Sequence, residues 1–151
     1  MASHSFAIRT AADLLTKLEA DFQIFLADPL SSSKALNCVF SAWHMSDWWY
    51  EESSHTPTEQ GKKEYQRKLR SEHDFLRFMS DIANGSKHIR LSDPNVQVKD
   101  TSVHQGDFNN DFSLDFDVPY LKITLEDRSE RIFAKELENA LNHWRAVLRS
   151  V

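Results

Sequence analysis

Little in this sequence punctuates the chain. Glycine occurs three times and proline four times in 151 residues. A chain so short of turn formers does not suit a sandwich of many short strands and favours long helices. Cysteine occurs once, at Cys38. That excludes an internal disulfide and fits a buried thiol acting as a small hydrophobe. No apolar run is long enough to cross a bilayer, and "MASHSFAIRT" lacks the apolar core of a signal peptide. The expectation is a protein of the reducing cytoplasm with no membrane partner. A basic surplus is missing too: the formal net charge is -5, whereas nucleic-acid binders ordinarily carry a cationic excess because phosphate contacts dominate their affinity.

What is present is the composition of one soluble domain, 40% hydrophobic and 27% charged, large enough to bury a core. In "TAADLLTKLEADFQIFLADP", Thr10 precedes Asp13 by three residues, a capping-box-like start. Ala11, Leu14, Leu15, Leu18, Phe22 and Phe25 then recur at helical spacing, and Asp28-Pro29 stops the helix. Serines 31–33 supply caps for a second helix to about Glu52, antiparallel to the first because the connection is short. After a loop at 53–58, a polar third helix covers about 59–70 and a fourth about 72–88.

The period changes after Leu91. "NVQVKDTSV" and "DFSLDFDVPYLKITLEDRSERIF" alternate apolar and polar residues, as strands do. Phe112, Leu114, Phe116 and Val118 share one face, Leu121, Ile123 and Leu125 continue the alternation, and "EDRSE" reads as a hairpin turn. A last helix begins at about Ala134, with Leu137, Leu141, Trp144 and Leu148 in one stripe. The expected fold is therefore α+β and a single domain over residues 1–151. A four-helix N-terminal bundle (about 10–90) precedes a small antiparallel sheet (about 95–133) and a C-terminal helix (about 134–149).

One stretch, "DIANGSKHIRL", combines an interior glycine with asparagine, lysine and histidine. At about 100° per residue, Asp81, Asn84 and His88 fall within roughly 40° of Arg77. Phe75, Phe78, Met79, Ile82 and Ala83 spread around the opposite side. The polar stripe is either a solvated face or a cleft between helices or subunits. Gly85 costs helix stability, which suggests either close approach by a ligand or backbone, or simple fraying of the helix end. In the second helix, Asp47 stands among Leu36, Val39, Phe40, Trp43 and Tyr50. A buried carboxylate there demands a partner, for which Lys87, His88 and Arg77 are candidates; His44 lies one turn earlier on the flank. The expectation is a polar centre that joins Asn84 and His88, with Lys87 or Arg77, to His44 or Asp47. His44, Asp47 and His88 resemble a metal-ligand set, but HxxD alone is a weak signal and no metal or other cofactor is expected. Trp48, Trp49 and Tyr50 read as packing around a central helix.

"AWHMSDWWYEE" followed by "DIANGSKH" resembles a group of small bacterial proteins whose core runs R-D-[IL]-A-N-G-x-K-H, with Ser80 here where that pattern usually has arginine. The resemblance spans the second to fourth helices and implies no particular activity. More distantly, the spacing of Asn84 and His88 is similar to HEPN nucleotide-binding domains, some of which are RNases. Their signature is an arginine followed within two helical turns by a histidine, held at a dimer cleft. Here Asp81 takes the arginine position, and Arg77 lies one turn earlier. The similarity implies a homodimeric binding protein for a nucleotide, RNA or protein partner. The alternatives are an RNase in which His88 is the acid or base and a displaced Arg77 steadies phosphate, or a purely structural or interaction module.

Overall fold

The computed structural model describes residues 4–88, 94–105 and 118–150. Among these residues, five helices and a three-stranded sheet follow the expected order. Helix α1 (Ala11–Leu26) opens with a reciprocal capping box between Thr10 and Asp13. Helix α2 (Ser32–Ser53) begins where the Ser31 hydroxyl accepts from the Lys34 N–H at 3.2 Å. Helix α3 (Glu59–Glu72) is capped by Thr58, and α4 (Asp74–Lys87) follows after His73 alone. Each cap satisfies amides that the first helical turn leaves unpaired.

Strands β1 (Val98–His104), β2 (Tyr120–Leu125) and β3 (Glu130–Ile132) form an antiparallel sheet in the order β1-β2-β3. Thr101 pairs with Ile123 and Val103 with Leu121. The β2–β3 turn falls in "EDRSE": Arg128 adopts a left-handed backbone (φ 69°), and the Asp127 carboxylate accepts from the Ser129 N–H at 2.8 Å. The alternation expected at Leu121, Ile123 and Leu125 holds, with Ile123 and Leu125 buried. Phe112, Leu114 and Phe116 lie outside the described residues.

Helix α5 (Phe133–Arg149) returns from the sheet to the helices. Its Leu137, Ala140, Leu141 and Trp144 are wholly buried, and Trp144 Nε1 donates to the Ala42 carbonyl at 2.8 Å. Helix α2 therefore touches all four other helices, which corrects the single apolar face expected for it. Its buried residues are Ala35, Cys38, Val39, Ser41, Ala42, Trp43, Met45 and Ser46, most of the way round its middle. A helix surrounded by neighbours shows weak sidedness in its sequence. Its least covered side carries Phe40, His44 and Asp47.

Candidate functional site

The polar stripe of α4 divides in two. Arg77 and Asp81 are only 6% and 3% exposed, so they do not lie on an open polar face. Strand β1 begins against this part of the helix. Asp81 Oδ2 accepts from the backbone N–H groups of Gln97 (2.8 Å) and Val98 (3.1 Å), while Oδ1 faces Arg77 Nε at 3.2 Å. A carboxylate that loses water needs such partners. Asp81 thus anchors the start of the sheet to α4, and Arg77 balances its charge.

One turn further on, Asn84, Gly85, Lys87 and His88 are exposed. A Cβ placed on Gly85 would meet nothing within 4 Å, so no neighbouring group in the described structure requires a glycine there. Arg77 and His88 are eleven positions apart, roughly 16 Å along a helix axis. Within one copy of the chain they do not converge.

Asp47 corrects a second expectation. Its side chain is 46% exposed rather than buried, and its partner is Lys62 of α3 at 2.9 Å, not Lys87, His88 or Arg77. The cause is the turn of α2 that faces the polar helix α3 instead of the core: Tyr50 stacks on Tyr65, Ser46 Oγ accepts from Gln66, and Arg70 lies over the Trp43 ring. Lys62 also faces Glu51 and Glu59, and hydrogen bonds to Asp47 and Glu59 raise its pKa. An ion pair this exposed contributes about 0–1 kcal/mol. On the other side of Asp47 a cleft of about 410 Å³ is lined by Arg9, Thr10, Trp48, Glu51 and Glu52, a rim mainly acidic and unsuited to an anion.

His44 has the more suggestive surroundings. It projects from the least covered side of α2, its ring stacked on Phe40 with centroids 6.4 Å apart. Partial desolvation lowers its pKa; the charges of Lys17 in α1 and Lys87 in α4 add to this, and Asp47 opposes them. Lys87 of the expected centre therefore lies within electrostatic range of His44. No hydrogen bond or ion pair between Asn84 or His88 and His44 or Asp47 is present among the described residues. Lys17 also donates to the Ser41 hydroxyl at 2.9 Å and pairs with Asp21. Beneath it, burial and then Asp21 push the Cys38 thiol up to about 12, which leaves it inert.

Lys17, Phe40 and Lys62 were not legible as members of this surface, because each belongs to the regular pattern of its own helix. Among the described residues no group of three or more histidine, cysteine, aspartate or glutamate side chains could hold a metal ion. No family model matches the sequence, and no curated protein or solved structure matches it either.

Proposed function

We propose that this chain is a cytoplasmic, HEPN-like binding protein that holds the anionic part of a nucleotide or RNA on the α2–α4 surface, without catalysing a reaction on it. The observation that carries this reading is the exposed His44 ring stacked on Phe40 on the least covered side of α2, with Lys17 of α1 and Lys87 of α4 within electrostatic range. Two cations attract phosphate, and an adjacent aromatic surface offers a base something to stack on. Asn84 and His88, exposed beside Lys87 at the end of α4, would add hydrogen-bonding groups for the same ligand.

Catalysis fits less well. RNase chemistry of the HEPN kind sets an arginine against phosphate beside a histidine, and Arg77 is committed to buried Asp81. His44 has a lowered pKa and serves as a neutral hydrogen-bonding group near pH 7.

Fluorescence anisotropy with a labelled single-stranded RNA and with a labelled adenine nucleotide tests the reading. Lys87→Glu and His44→Ala are expected to weaken binding at least tenfold, and added salt should weaken it further. His88→Ala should reduce binding with an unchanged Tm, and no RNA cleavage should accumulate. Binding unaffected by all three substitutions, or efficient cleavage, would overturn the proposal.

A further inference from the structure

The sheet is not fully covered by the helices. On its inner face Ile123 is buried, but Val103, on the edge strand β1, is 37% exposed. Between this end of the sheet and the first turns of α2 lies a half-enclosed cavity of about 160 Å³. Leu36 and Val39 of α2, Ile82 of α4, Val103 and Leu121 of the sheet and Phe133 of α5 form most of its wall.

The electrostatics of that wall select its ligand. Strand alternation turns Thr101, Val103, Leu121 and Ile123 inward, and sends Ser102 and Lys122 to the other side of the sheet. There Lys122 is paired with Glu130 at 2.9 Å. No charged side chain among the described lining residues is therefore left to face the cavity, and an ion entering it would lose water without gaining a partner. The hydroxyls of Ser32 and Thr101 are the side-chain polar groups that remain on the lining. Apolar cavities on the order of 150 Å³ are large enough for benzene, and concave apolar walls with a few polar groups are typical of small-molecule sites.

We infer that this cavity is a binding site for a small neutral molecule of aromatic-ring size, carrying at most one hydroxyl or carbonyl group that meets Ser32 or Thr101. The site takes a different chemical class from the cationic surface at His44, and its existence does not depend on that surface binding anything.

Methyl chemical shifts and Tm, followed with benzyl alcohol and with benzoate, test the inference on the whole chain. Benzyl alcohol is expected to shift the methyl signals of Leu36, Val39, Ile82 and Leu121 in a saturable way and to raise Tm. Benzoate, of the same size but charged, should bind at least tenfold more weakly. Ala35→Phe fills the cavity from α2 and should abolish benzyl alcohol binding. Val103→Trp, at a partly exposed edge position that tolerates bulk, should do the same if the first variant does not fold. Equal binding of benzoate, binding that survives the filling variant, or no saturable shift with benzyl alcohol would each overturn the inference. So would a concentration-dependent dimer that occupies the cavity wall and excludes the probe.

Discussion

The two halves of α4 share one angular stripe and almost nothing else. The first half carries Arg77 and Asp81, sealed between the helices and the start of β1; the second carries Asn84, Gly85, Lys87 and His88, open to solvent. A helical wheel reports direction around an axis. It does not report how far along that axis a neighbour extends, and here the difference between scaffold and candidate site is made in one turn of helix. Polar residues do structural work at one end of α4 and stand exposed at the other.

The largest way to break this comparison is at Asp81. Asp81→Ala removes the acceptor for two β1 amides and leaves the Arg77 charge buried. Breaking such a buried pair costs about 3–5 kcal/mol, so chemical denaturation should show a loss of that order. His88→Ala, on the same stripe, should leave the midpoint where it was. Similar losses for both would erase the distinction between the halves.

A smaller effect sharpens it at the start of α4. His143 of α5 packs on His73 with ring centroids 4.6 Å apart, and its Nε2 is buried with no hydrogen-bond partner among the described residues. Burial, reinforced by His73, pushes its pKa down to about 4. The unfolded chain takes up this proton near 6.5, so His143 favours the folded state above that pH. This contribution is lost as pH falls from about 6.5 through about 4. Glu136, two turns earlier on the same face of α5 and held above the usual carboxylate range by burial, opposes the trend. Its folded-state carboxyl keeps a proton longer, which penalises folding at higher pH and relieves that penalty on acidification. Thermal melts from pH 7 to 5 should therefore show His143→Leu losing less Tm than the parent. Parallel curves would remove His143 as the cause.

The smallest effect lies at the open end. With no neighbour within 4 Å of its missing Cβ, Gly85→Ala should gain up to about 1 kcal/mol from helix propensity and a less mobile unfolded chain. A loss of stability would show that this segment is more tightly surrounded than its neighbours indicate. The contrasting glycine is Gly61, where an added Cβ would collide with the Tyr50 hydroxyl.

The fold was legible because its signals are local. Thr10 and Asp13, Ser31, Asp28-Pro29 and the alternation through Ile123 and Leu125 act within a few residues of where they stand. The candidate site was legible only in part. His44 is legible because it stands one turn before an acid among apolar residues, and Lys87 because it lies beside an interior glycine and a histidine. Their partner Lys17 was hidden because Lys17 and Asp21 look like an ordinary pair on a helix surface. Asp47 was misplaced for a related reason: α2 is packed on nearly every side, so its sequence carries no clean boundary between inside and outside. For Asp81 the sequence leaves a solvated face and a cleft as alternatives, because its partners include backbone amides of Gln97 and Val98, and a backbone amide has no signature in a sequence.

The burial of Trp144 bears on the order of assembly. The indole that hydrogen-bonds Ala42 stands 102 positions later in the chain, so the middle of the helical layer is filled by a segment far in sequence from the helices it packs against. Until α5 emerges, α1, α2 and α4 surround a trough without its filling, and the contacts that close it are among the most distant in sequence. Such contacts slow folding, and exposed apolar surface in the interval invites association. A nascent chain of this protein is thus most vulnerable before α5 emerges, when α1 to α4 already exist and the residue that locks them together does not.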